Sequence, residues 1–417
     1  MSDAKKIAIM SSAGGGGAGI AARRLTDAIN ENGPHSADFI DIAVLGEGLP
    51  LSVCVADSFS NHTISDTHFT VEKPGYVRGW LVDMLAEYDL INVNWASFLM
   101  SNSELLALAM RGRPMLFMMH DFYYITGGCH YPATCAQLGS GCLACPQVDT
   151  KRSSQSVIAE NYQLKQAIFA QPNVHIAAPS GFLRDTAVQS GIIPSDRAHV
   201  LRNAYQPSHA FNSNRSFARR ILLIADSLYE GRKNMRFALE VLAKLSQMGE
   251  RFMVDVVGQA APEMKAYLAA TGVRHVFHGR ITDHDELAAI MSQTNVMITA
   301  SLEDNWPNIL VEAGSYGCMP VVGPGHGCEE FVHEFDYGHV AKDYTVPSFL
   351  SATLNALNDQ SPEKRQRAVE SIRATHDPAA ASASFASILD NIPVHEHSVT
   401  LLSQSAPVGR HKVHMES

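Results

Sequence analysis

Residues 295–322, NVMITASLEDNWPNILVEAGSYGCMPVV, admit few folds. The apolar run Asn295–Ser301 has the length and composition of a buried strand ending in a polar turn. Pro307 then stands where a first helical turn tolerates proline, since its missing N–H would have had no intrahelical partner. Ile309, Leu310 and Ala313 follow at helical spacing, Gly317 can stop the helix, and MPVVG reads as the next strand. The turn carries Asp304, Asn305, Trp306 and Asn308, and Glu312 lies eight residues after Asp304, on the helix. The unpaired N–H groups of a helix start attract anions, usually phosphate. Asp304 and Glu312 can therefore point toward one ligand that extends past the helix tip. A plain capping turn with a solvated Glu312 is the other reading of the same residues.

A second unit of this kind opens the chain. Lys6–Met10 (KIAIM) reads as a buried strand, SSAGGGGAG as a loop opening a helix with Ile20, Leu25 and Ile29 inward, and Ala37–Leu45 as another strand. Glycines let the backbone approach a ligand and leave amides free to bind it. Gly17, Gly19 and Ala22 also approximate the dinucleotide fingerprint G-x-G-x-x-A, with Asp41 near the position of a ribose acid. A nicotinamide oxidoreductase is thus one reading of this half, and a plain tight turn is another.

PMLFMMH (Pro114–His120) reads as a strand with His120 at its carboxyl end, where doubly wound folds place ligand groups; a core or surface histidine is the plainer alternative. Four cysteines follow within a short loop, Cys129, Cys135, Cys142 and Cys145, the last two forming a C-x-x-C knuckle beside His130. Four thiolates suit a tetrahedral structural zinc that would pin a loop with little core of its own. Free thiols, or disulfides and redox chemistry, remain open.

Three stretches carry a resemblance to a known family. The acid-x7-Glu pattern from Asp304 to Glu312 resembles the signature of retaining glycosyltransferases of the GT-B fold, glycosyltransferase family 4. GGAGIAARRLTDAINENG is similar to their first loop and helix, with Gly16 and Gly17 facing an interdomain cleft. His120, Asp121, Thr126, Gly127, Gly128, Cys129, His130, Tyr131, Cys135, Cys142, Cys145 and Pro146 resemble an insertion found in members of the colanic-acid and exopolysaccharide type. The resemblance implies a GT-B fold, an α/β architecture of two Rossmann-like doubly wound domains facing a cleft. It implies that Asp304 holds hydroxyls of the donor sugar, one methylene shorter than the usual Glu, and that Glu312 holds the nucleotide ribose. The amides near Asn305, Trp306 and Asn308 would bind the diphosphate, with Lys233 as its clamp. Arg232 would stand in for an Arg absent after the preceding strand, where Ala225 and Asp226 occur. His120 would lie near the transferred sugar and the acceptor. The implied donor is a UDP- or GDP-sugar, the implied acceptor a glycan or lipid-linked glycan, and no catalytic metal is expected.

Composition narrows the rest. The 417 residues are 46% hydrophobic and 18% charged, with a net charge of −10, which argues against nucleic acid as the main partner. No apolar run approaches the roughly 20 residues needed to cross a bilayer, and no secretory signal precedes the first strand. The expected location is the cytoplasm, with peripheral contact at the inner face of a membrane. The domain reading is an acceptor-side domain 1–206 with the Cys-rich insertion 126–147, a linker 207–219, and a nucleotide-sugar domain 220–375. A helix 376–391 crosses back, and a tail 392–417 with His395, His397, His411 and His414 is expected to be disordered. A catalytically silent sugar-nucleotide-binding subunit is the rival from a non-enzyme class.

Overall fold

The computed structural model of the protein describes residues 4–54, 69–133, 135–146, 155–212, 219–359 and 361–393. The tail beyond residue 393, with its four histidines, lies outside the described residues. So do residues 55–68, and residues 213–218 of the linker.

Two six-stranded sheets, each wholly parallel, organise the two halves. The first contains β1 (Lys6–Ser11), β2 (Ser36–Ile40), β3 (Leu90–Trp95), β4 (Met115–Met118), β5 (Val174–Ala178) and β6 (Ala198–Val200), in the order β2-β1-β3-β4-β5-β6. The second contains β7 (Arg220–Ser227), β8 (Met253–Gln259), β9 (His275–Gly279), β10 (Val296–Thr299), β11 (Met319–Val322) and β12 (His339–Val340), in the order β12-β11-β10-β7-β8-β9. In both sheets the strand order reverses beside the first strand of the half. Open α/β sheets bind ligands at such a point, in the crevice outside the carboxyl ends of the strands.

The central strands are buried on both faces, which is why they read as continuous apolar runs. In the first half, Ala8, Met10, Ile91, Val93 and Phe117 face one core, while Ile7, Ile9, Leu90, Leu116 and Met118 face the other. That second core is completed from the far end of the chain. Phe385, Ile388 and Leu389 of the helix Pro378–Leu389 pack with Leu25 and Ile29 of the helix Gly16–Asn32. The closing helix therefore belongs to the core of the first half.

Some elements differ from their sequence reading. The strand read at Ala37–Leu45 ends at Ile40, because Asp41 caps a short helix, Ile42–Leu45, by accepting from the Val44 N–H. GHGCEE (325–330), whose two glycines look like turn formers, instead starts the helix His326–Glu334. Gly327 is required there: a Cβ would lie 1.6 Å from the Asn305 carbonyl, so only glycine lets this helix close on the acid-bearing turn. Pro307 sits just before the helix Asn308–Ser315 rather than in its first turn. The helix Pro262–Ala270 went unread.

Candidate active site

The carboxyl ends of both sheets converge on a cavity of about 540 Å³ between the halves. Gly15, Gly16, Gly17, Trp95, His120 and Tyr131 line it from the first half. Arg232, Lys233, Asp304, Trp306, Asn308 and Glu312 line it from the second, with Ala225, Asp226 and Arg280 farther along. Gly16 adopts φ +70°, a left-handed turn that lets β1 pass into its helix while the backbone stays bare toward the cavity.

Asp304 is buried at the end of the turn after β10. Its Oδ2 lies 2.6 Å from Lys233 Nζ and 3.3 Å from Arg232 Nη1. Burial would raise its pKa, but these two cations outweigh burial and hold the carboxyl below its ordinary range. Lys233 is thus a cation at the cavity wall whose present partner is the neighbouring acid. Arg232 is more committed. It donates to the Glu303 carbonyl (2.8 Å), pairs with Glu230, and lies 4.0 Å from the centre of the Tyr131 ring. Burial disfavours its charge, but Tyr131, Asp304 and Glu230 overcome that and fix it as a cation. It acts as a strut between the loop of the first half and the turn of the second.

Glu303 also spans the gap, accepting the Ala133 N–H at 3.0 and 3.2 Å. Burial raises its pKa to about 7 against the opposing pull of that N–H and Arg232. The tip of the helix Asn308–Ser315 is stitched to the first half in the same way. Asn305 Nδ2 donates to the His120 carbonyl (3.2 Å), and Asn308 Nδ2 donates to the Gly17 carbonyl (3.0 Å). Asn308 Oδ1 accepts from Asn203 Nδ2 (2.8 Å). Glu312 faces Arg24 across the gap, Oε1 to Nη2 2.8 Å. The Trp306 ring is turned into the core against Phe331 and under the Arg202 guanidinium, leaving its backbone to the turn. His120 lies opposite. Burial pushes its pKa down to about 4 despite Asp121, so the imidazole is neutral near pH 7. The anion-favouring helix tip and the histidine at the end of β4 therefore border one cavity.

The zinc reading of the cysteines needs correction. Among the described residues, no group of three or more His, Cys, Asp or Glu side chains is arranged to hold a metal ion. Cys142 Sγ accepts the Gly127 N–H (3.2 Å), and Cys135 Sγ accepts the Gln137 N–H (3.4 Å). A hydrogen bond with Cys145, followed by burial, raises the Cys129 thiol pKa, so a thiolate is disfavoured there. His130 is engaged by Asp121 Oδ2 at 2.7 Å and Thr70 Oγ1 at 2.9 Å, stacked between Trp95 and Tyr123. None of the four cysteines is in a disulfide. The loop is anchored from beneath by buried Lys165, whose Nζ donates to the Tyr123 and Thr126 carbonyls.

Sequence reading passed over Arg24, Asn94 and Glu303, all of which touch groups at this cavity. Asn94 had a visible signal, since DLINVNW places two asparagines at alternate positions of an otherwise apolar strand. Asp41, the ribose acid of the dinucleotide reading, caps its helix and pairs with Arg23 (3.2 Å), and it does not line the cavity.

Residues 209–375 match the model of the family described as Glycosyl transferases group 1. The chain is 25% identical over 230 residues to WcaC of Escherichia coli (strain K12), provisionally named a colanic acid biosynthesis glycosyl transferase. The match covers 50% of this chain and 51% of that protein, so it spans about half of the relative's length. Among solved structures, Anabaena HepE in complex with UDP-glucose superposes with a TM-score of 0.61 at 14% identity, covering 93% of this chain and 99% of that one. WaaG, a glycosyltransferase involved in lipopolysaccharide biosynthesis, gives 0.58 at 13% identity over 93% and 99%. These likenesses establish the architecture as GT-B, two Rossmann-like domains across a cleft, with the match to the family model confined to residues 209–375.

Proposed function

We propose that the protein is a retaining glycosyltransferase of family 4 that moves a sugar from a nucleotide sugar to a hydroxyl of a glycan or lipid-linked glycan in polysaccharide assembly. The observation that carries this reading is the placement of Asp304 and Lys233 opposite His120 across one cavity, in a chain whose second half matches the group 1 glycosyl transferases. Glu312 holds the ribose, and the amides around Asn305–Asn308 receive the diphosphate with Lys233. The leaving diphosphate gains charge as the glycosidic bond breaks, so a cation and a helix tip stabilise the transition state more than the ground state. Asp304 grips sugar hydroxyls once Lys233 turns to the phosphate. His120 orients the acceptor, and Gly16 and Gly17 let the donor lie close to the backbone. Closure of the cleft excludes water that would otherwise hydrolyse the donor.

Calorimetry with a panel of UDP- and GDP-sugars, followed by NMR of the product anomer, tests this reading. UDP-glucose comes first because HepE was solved with it. Binding with transfer and retained anomeric configuration is expected; inversion, or tight NAD(P) binding instead, overturns it. The ion pair that occupies Asp304 favours one second reading, a silent sugar-nucleotide-binding subunit, which gives binding without turnover.

Among the described residues, no helix is long and apolar enough to cross a membrane. Leu51, Val77, Trp80 and Phe98 are exposed on segments that adjoin one another in the first half, through Leu49 N–H to the Phe98 carbonyl and Arg78 to the Gly48 carbonyl. We assign this face to peripheral contact with the membrane that would hold a lipid-linked acceptor. Flotation with anionic vesicles, lost in Leu51→Asp/Trp80→Asp, is the expected outcome; unchanged flotation sinks the assignment.

A further inference from the structure

We infer that Asn92 and Asn94 fix the tautomer of His120, so that its Nδ1 lone pair faces the cleft and receives a hydrogen bond from a ligand hydroxyl. Assigning that hydroxyl to a sugar rests on the transferase reading above; the tautomer does not.

The inference starts at a backbone carbonyl. Asn92 and Asn94 are two residues apart on β3, so their side chains emerge on one face of the sheet. Both are buried in a strand whose neighbours are apolar, a costly place for amides unless every polar atom is paired. The group 3.0 Å from the Leu116 carbonyl must be the Asn92 NH₂, because a carbonyl oxygen only accepts. Asn92 Oδ1 is then an acceptor, and the group 2.7 Å from it must be the Asn94 NH₂. Asn94 Oδ1 is in turn an acceptor, so His120 Nε2, 2.9 Å away, must carry the proton. Each amide orientation follows from the one before it, and the sequence starts from an atom that can only accept.

A neutral imidazole has a single N–H. With the proton on Nε2, Nδ1 keeps its lone pair. No protein group hydrogen-bonds Nδ1 among the described residues, although His120 lines the cavity. His130, ten residues on, contrasts with it, having both ring nitrogens engaged. A lone pair repels the oxygens of phosphates and carboxylates and attracts an O–H. The ligand group that meets His120 is therefore an alcohol and not the diphosphate. Asn92 and Asn94 act through His120 and are positioning residues.

Long-range proton–nitrogen NMR on the full chain labelled with ¹⁵N-histidine tests the assignment, with His120→Gln identifying the resonances. Expected is a neutral His120 protonated at Nε2 before any ligand is added. Asn94→Leu removes the acceptor and should give mixed tautomers. Its kcat for sugar transfer should fall about ten- to a hundredfold while the donor KM stays within about twofold. Asn94→Asp still accepts from Nε2–H and should keep the wild-type tautomer, so it serves also if the Leu variant fails to fold. A wild-type His120 protonated at Nδ1, or an unchanged tautomer in folded Asn94→Leu, overturns the relay. A wild-type protein with the Nε2–H form and no transfer of any sugar overturns the transferase reading and leaves the relay standing.

Discussion

Arg24 and Glu312 come from helices in opposite halves and meet across the cleft, Nη2 to Oε1 2.8 Å, with both side chains mostly buried. One carboxylate oxygen is thereby taken, and in the proposed reading the other receives a ribose hydroxyl. Glu312→Ala should weaken UDP binding by about 1.5–3 kcal/mol, the range for hydrogen bonds to a charged group. Arg24→Ala should cost about 1 kcal/mol, because it loosens Glu312 without removing it. Calorimetry on the two variants and their combination decides the matter. The double variant should bind no worse than Glu312→Ala; additive losses would mean that Arg24 touches the nucleotide directly.

Glu303 makes stability depend on pH in a direction opposite to that of most carboxylates. Its folded-state pKa is raised to about 7 from an ordinary 4.5, chiefly by burial. Between those values the folded protein keeps a proton that the unfolded chain has already released. Stability therefore falls as pH rises through this window, at most about 1.4 kcal/mol per pH unit from this group. Glu303→Gln keeps an oxygen for the Ala133 N–H but cannot ionise. Urea denaturation from about pH 5 to 7.5 should show the variant gaining on wild type as pH rises. Parallel curves would remove Glu303 as the source.

How much was legible in advance follows from what each residue needed. The strands were readable because parallel strands covered on both faces leave apolar runs, and the acid-bearing turn because Pro307, Gly317 and the helical spacing punctuate it. Arg24 could not be read as the partner of Glu312, for 288 residues separate them and only the facing of two domains joins them. The glycines of GHGCEE look like turn formers by sequence alone, whereas Gly327 serves close packing against Asn305. The cysteine spacing counted sulfurs but could not say whether the fold gathers them around one point, and among the described residues it does not group three or more ligands for a metal. Asn92 and Asn94 were visible as polar residues in an apolar strand, yet their meaning depends on Leu116 and His120, which belong to other stretches of the chain.

The thiol arrangement predicts indifference to metal. Cys129 and Cys145 are hydrogen-bonded to each other, and Cys142 and Cys135 to backbone N–H groups. The hydrogen bond with Cys145, then burial, raises the Cys129 thiol, and burial raises that of Cys142. Elemental analysis of purified protein should find zinc well below one equivalent, and EDTA should leave the Tm unchanged. A structural zinc typically carries about 10 kcal/mol or more of folding energy, so its removal would be plain. Stoichiometric zinc with a lower Tm after chelation would restore the metal reading.

Asp304 offers the sharpest separation of binding from chemistry. In the present arrangement it competes with any incoming phosphate for Lys233, since its Oδ2 lies 2.6 Å from that ammonium. Asp304→Asn removes the competing charge but keeps the shape. UDP should bind Asp304→Asn more tightly than wild type, by about 1 kcal/mol, because Lys233 no longer has to leave an ionised partner. Transfer should nonetheless fall by about 100-fold or more, because the amide holds sugar hydroxyls less strongly than a carboxylate as charge develops at the anomeric carbon. Lys233→Ala should lose on both counts, leaving Asp304 buried beside Arg232 alone. Calorimetry with UDP and a turnover assay on the same preparations give the comparison. If Asp304→Asn binds UDP more weakly and transfers sugar normally, Asp304 orders the turn and does not hold the donor sugar.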